Sequence, residues 1–120
     1  MKLEDKSVPI VIDQGATFTW PITYLDSDRV PINLTNYTAK MQVRQTYESS
    51  GSAIVNLTTE NGGITINGTQ GLITVIISEF QTSALVAPFE GVYDLLVYST
   101  AGVSEKLLYG PATVVPVVTR

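Results

Sequence analysis

From 17 to 25 the chain alternates strictly. Phe18, Trp20, Ile22 and Tyr24 fall on one side, and Thr17, Thr19, Pro21 and Thr23 on the other. A period of two puts successive side chains on opposite faces, so this stretch predicts a half-buried strand. Trp20, the single tryptophan, is expected near the centre of the core. Pro21 has no N–H to give to a ladder and marks an edge or a bulge. The same alternation returns over 38–45, with Ala39, Met41 and Val43 inward and Lys40, Gln42 and Arg44 outward. It returns again after Gly91, where Tyr93, Leu95 and Val97 face inward and Asp94 points away.

Shorter runs fill the intervals. Val8-Pro9-Ile10-Val11-Ile12 reads as a short strand, and its proline suggests an edge. Residues 53–57 read as another strand. Ile64-Thr65-Ile66 and residues 72–77 flank Asn67-Gly68-Thr69-Gln70-Gly71, a hairpin with a glycine at each end of its loop. Asp26-Ser27-Asp28-Arg29-Val30-Pro31 is a turn rich in Asx residues. An irregular connection over 32–37 is anchored by Leu34 and Tyr37, and 47–52 is a loop. Ser78 with Gln81 three residues on is a capping-box signature, so 79–85 predicts one or two helical turns ended by Pro88. From Glu90 to Val118 three β-rich runs appear, separated by Ala101-Gly102 and Gly110-Pro111, the signature of an antiparallel meander.

Turn signals recur about every 8–12 residues, as in a β-sandwich. The fold class expected is all-β: an immunoglobulin-like antiparallel sandwich of seven to nine strands with one short helical turn. Residues 1–7 form a polar N-terminal arm and 8–120 a single domain. The expected core is Phe18, Trp20, Ile22, Met41, Val43, Val55, Ile64, Ile66, Tyr93, Leu95 and Val97. In immunoglobulin-like sandwiches a tyrosine at the position of Tyr93 folds back onto upstream backbone as a tyrosine corner. A plain strand aromatic is the other reading.

Composition narrows the chemistry. Of 120 residues, 44% are hydrophobic and 15% charged, with a net charge of −4. Average chains carry about 25% charge, so the outward faces here must be covered by Thr, Ser, Asn and Gln. No basic stripe is available for phosphates, which argues against nucleic-acid binding. Cysteine and histidine are both absent. Disulfides, thiolate metal sites and a Ser-His-Asp device go with them, as does the commonest general base. No run approaches the ~18 apolar residues of a membrane span. The start, Met-Lys-Leu-Glu-Asp-Lys, has no apolar stretch of the signal-peptide kind. Asn33, Asn36, Asn56 and Asn67 each open an Asn-x-Thr triplet. In a Thr- and Asn-rich β protein such triplets arise by chance.

Asp26 and Asp28 could offer carboxylates to Ca²⁺, which takes six to eight oxygens. Turn chemistry explains them more cheaply, because Asp caps its own backbone. Glu60, Glu79, Glu90, Asp94 and Glu105 form no visible glycosidase pair. The chain is therefore read as a non-enzyme with no catalytic, cofactor-binding or metal residues.

The order of several short motifs resembles small tailed-bacteriophage proteins with an immunoglobulin-like fold. Some of these are free-standing virion proteins. Others are the N-terminal domain of baseplate upper proteins and receptor-binding-protein adaptors. The motifs are Asp13-Gln14-Gly15-Ala16-Thr17-Phe18, Asp26-Ser27-Asp28, Pro31-Ile32-Asn33-Leu34-Thr35-Asn36-Tyr37, Met41-Gln42-Val43-Arg44, Gly63-Ile64-Thr65-Ile66, Gly91-Val92-Tyr93-Asp94-Leu95 and Val117-Val118-Thr119-Arg120. Two positions depart from the family. Arg29 stands where it usually has glycine, which predicts a different turn type there. Asn36 replaces the glycine of a Leu-Thr-Gly-Tyr pattern and tolerates the left-handed conformation.

The resemblance implies a structural component of the virion that binds other virion proteins, without fixing its position there; a tail, baseplate or fibre-adaptor location is the expectation. Capsid decoration or a neck or collar role is the alternative. Homo-oligomers on a virion symmetry axis are a further expectation, as is localisation in the virion. The apolar run Val114, Val115, Val117, Val118 with Arg120 is expected to be an exposed last strand that a partner covers. A carbohydrate-binding module using Tyr47, Tyr98 and Tyr109 is the reading from another class.

Overall fold

The computed structural model describes residues 7–47 and 53–118. The expected arm before Ser7, the 48–52 part of the loop, and Thr119 and Arg120 lie outside the described residues. Eight strands follow one another: β1 (Ile10–Asp13), β2 (Phe18–Thr23), β3 (Thr38–Arg44), β4 (Val55–Thr58), β5 (Ile64–Asn67), β6 (Leu72–Ile77), β7 (Phe89–Tyr98) and β8 (Ser104–Val115). They make two sheets, one ordered β1-β8-β7-β3-β4 and the other β2-β6-β5. This is an all-β sandwich with immunoglobulin-like strand order. All pairings are antiparallel except one: β1 runs parallel to β8, with Ile10 opposite Ala112 and Asp13 opposite Val115.

The inner faces follow from the period of two. In the five-stranded sheet Ile12, Met41, Val43, Leu57, Tyr93, Leu95, Val97, Ala112 and Val114 are buried. In the three-stranded sheet β6 is central, and its Ile73, Val75 and Ile77 are fully enclosed. β2 lies at the edge. Its Phe18, Trp20 and Ile22 face inward but remain partly exposed. The centre of the core is therefore Tyr93 rather than Trp20, which stands edge-on to Tyr93 at 6.0 Å between ring centroids. The alternation identified the face correctly; the place of the strand within its sheet decides how deep that face lies.

The meander contains two strands, not three. Gly110-Pro111 is no turn: β8 runs straight through it. Proline is excluded from a central strand only where its missing N–H was needed. The β1–β8 register, continued through the Ser7–Tyr109 bridge, sets Val8 opposite Gly110. Residue 111 would then donate to the Val8 carbonyl, and Pro111 cannot. The Tyr93 hydroxyl donates to that carbonyl instead, at 2.6 Å. This is not a tyrosine corner, which closes over a few residues. It pins the start of the chain across 85 positions. Burial, with Tyr47 contributing, raises the Tyr93 phenol above its ordinary range.

Opposite β7, the register slips between Leu95 and Leu96, so that Leu107 is an extra residue on β8. The bulge turns both Leu107 and Leu108 inward.

The two helical pieces have local causes. The Ser78 hydroxyl accepts from the Gln81 N–H and the Gln81 side chain returns to the Ser78 N–H, closing the capping box of α1 (Glu79–Ser83). Thr82 is fully buried and its hydroxyl accepts from Gly15 and donates to Ala16, tying α1 to the turn after β1. A second, 3-10 turn at Gly68–Gln70 sits inside the β5–β6 loop.

Arg29 takes the left-handed conformation, φ 63. Asp26 holds the turn: one carboxylate oxygen accepts from the N–H of Asp28 and of Val30. A left-handed non-glycine residue costs about 1–2 kcal/mol, partly offset by the unfolded freedom glycine would add. Arg29→Gly is therefore expected to stabilise by about 0.5–1 kcal/mol. Thermal melting checks it; a lowered midpoint would contradict it.

Candidate interaction surfaces

Contacts with a partner can use strand edges, sheet faces or the ends of the sandwich. The edges are the least open. On β1 the N–H groups of Val8 and Gln14 point at β8, so Pro9, Val11 and Asp13 face outward, and Pro9 offers no donor. Pro21 has no donor to offer from the β2 edge either. On β4, Asn61 occupies the edge: its side chain donates to the Asn56 carbonyl at 3.0 Å and accepts from Thr58 N–H at 2.9 Å. β5 has four residues. An added strand finds little continuous backbone to pair with.

The expected sticky last strand is corrected by this arrangement. β8 is an inner strand, because β1 already covers its side from Ala112 to Val115. Val114 is fully buried, while Val115 lies partly exposed on the outer face. Val117 and Val118 lie beyond β8; Val117 packs beside Gly15, and Val118 is 91% exposed. The Gln14 side chain donates to the Leu85 carbonyl and accepts from Val117 N–H, which brings the 84–88 segment and the chain's last described residues together. Val86 and Val118 project from this end, and Phe80, on the outward side of α1, is 83% exposed.

The outer face of the five-stranded sheet is open. Apolar positions line its β1–β8–β7 half: Val11, Val115, Pro111, Val92 and Leu96, with Tyr109 and Tyr98. Its β3–β4 half is polar. Gln42 accepts from Arg44 Nε and Nη2 at 3.2 and 2.9 Å and donates to Asn56 at 3.1 Å. Asp94, opposite Gln42 on β7, lies 3.5 Å from the Lys106 ammonium, which also stands 5.8 Å from the Tyr109 ring centroid. A groove of about 140 Å³ opens beside this row, lined by Gln42, Arg44, Thr46, Tyr47, Val92, Tyr93 and Asp94.

The three tyrosines of the carbohydrate reading take different places on this surface. Tyr98 and Tyr109 lie on the sheet face, Tyr98 partly covered, and Tyr47 stands over the groove at the end of β3. The sequence pattern had placed Gln42, Arg44 and Asp94 outward. It could not bring them together, because β3 and β7 pair across about 50 residues and no local signal encodes that pairing.

One further polar link joins the sheets. Tyr24 donates to the Glu105 carboxylate, and burial first, then this bond, raises its phenol above the ordinary range. Among the described residues no group of three or more acidic, histidine or cysteine side chains is placed to hold a metal. No helix among them is long and apolar enough to cross a membrane. No protein-family model matches the chain, and no curated protein matches it.

Proposed function

We propose that the chain is a bacteriophage virion structural protein, a tail, baseplate or fibre-adaptor component acting through protein–protein contacts. Its partners in this reading are other virion proteins, with copies of itself arranged on a symmetry axis. The motif resemblance over most of the chain motivates the assignment. The observation that carries the mode of action is the outer face of the five-stranded sheet. It is half apolar, while proline or a capping asparagine stands at three of the four sheet edges. Side-by-side packing on a face is favoured over strand addition.

Immunogold labelling of purified virions with an antibody to this chain tests the reading. Label at the tail or baseplate is expected. Label on the head or neck would move the protein there, and recovery in host lysate without any in virions would overturn the proposal.

A further inference from the structure

We propose that the groove at the β3–β7 end of the outer sheet face binds a single neutral pyranose ring. This is independent of the virion assignment. Three features point to it.

The first is the side-chain chemistry. Gln42 on β3 and Asp94 opposite it on β7 set a second amide N–H beside a second carboxylate oxygen, beyond the contacts with Asn56 and Lys106. Vicinal equatorial hydroxyls on a pyranose present the matching pairs of donor and acceptor. Gln42 is held in place from both sides, by Arg44 on its carbonyl and by Asn56 on its amide nitrogen. Asp94 is steadied by Lys106 at 3.5 Å. Ordered polar groups lose less freedom when a ligand arrives.

The second is Tyr47, which is 54% exposed on the rim of the same groove. An exposed phenol ring offers an apolar face with a polar tip. The C–H face of a sugar ring stacks on such a face while its hydroxyls remain available to the polar row. Val92 supplies an apolar patch at the floor.

The third is charge and size. One guanidinium and one carboxylate line the groove, so its lining is balanced. Phosphates and carboxylates would meet Asp94, and ammonium groups would meet Arg44. A volume of about 140 Å³ is well under that of drug-sized ligand sites, which begin near ~300 Å³, and matches one small ring.

The test is an NMR titration of the intact chain with glucose, galactose and N-acetylglucosamine, each to 100 mM, with glycerol as the acyclic polyol control. At least one sugar is expected to shift the amides of Gln42, Arg44, Thr46, Tyr47, Val92 and Asp94, saturating in the millimolar range. Glycerol should not. Tyr47→Ala and Asp94→Ala should each weaken saturation at least tenfold, and Tyr47→Trp should retain it. Tyr47 is largely exposed, so an unchanged melting curve keeps the Ala variant interpretable. Absence of saturable shifts with all three sugars would overturn the proposal. So would equal shifts with glycerol, or shifts unaltered by both alanine variants.

Discussion

Replacing Tyr93 by alanine is expected to remove about 3–5 kcal/mol of stability, the range for emptying a buried aromatic site. That is a large part of the ~5–15 kcal/mol a domain has in total. Tyr93 is 1% exposed and packs against Trp20 across the two sheets. Its hydroxyl has a separable role, which Tyr93→Phe isolates. That variant keeps the ring and leaves the Val8 carbonyl without a donor, at an expected cost of about 1–3 kcal/mol. Pro111→Ala in the Phe background should recover part of the loss by restoring an N–H opposite Val8. Denaturant melts of the three variants decide the matter. A Tyr93→Phe protein as stable as the parent would mean that the hydroxyl does not hold the chain's start.

The pH dependence follows from the burial of the same phenol. The folded phenol titrates above its unfolded value of ~10, so its contribution is complete below that pH and is lost on raising pH further. Tyr93→Phe should therefore lose stability less steeply than the parent above pH ~10, retaining the part due to Tyr24.

Gly110→Ala is the second large effect. A Cβ at this position would lie 2.7 Å from the Val8 carbonyl oxygen, which is backbone and cannot turn away alone. The residue also holds φ 151, where an L side chain is strained. Strain and overpacking each cost roughly 1–3 kcal/mol, and a loss of about 2–4 kcal/mol is expected. The loss should be local in character. β1 has to move off β8, so the amides of Ile10 and Ile12 should exchange with solvent far faster than those of Leu95 or Val75. Unchanged exchange in β1 would refute the close approach. The bared side of β8 would then resemble the sticky strand that the Val114–Val118 run suggests.

The sequence is legible where contacts are local or periodic. Alternation alone placed Met41, Val43, Tyr93, Leu95 and Val97 inward, and Ser78 with Gln81 announced α1. It misled at Gly110-Pro111, because that dipeptide signals a turn unless a distant strand has already removed the need for the N–H. Trp20 was placed on the correct face but too deep, since edge or centre is a property of the whole sheet. At Arg29 residue type alone disfavours the left-handed conformation, which the Asp26 carboxylate stabilises through the N–H groups of Asp28 and Val30. For the groove, the outward positions of Gln42, Arg44 and Asp94 were readable in advance. Their convergence depends on a β3–β7 pairing that is visible only in the fold.

The parallel pairing of β1 with β8 also has a mechanical meaning. The chain enters at the start of β1 and leaves at the far end of the paired part of β8. A pull between these points acts along the strands. It loads the hydrogen bonds of the pair together, with the Tyr93–Val8 bond among them, instead of opening them one by one. An antiparallel first strand would unzip under the same force. For a module proposed to sit in an assembly that is pulled and pushed, the two ends of this domain are joined by a contact loaded in shear.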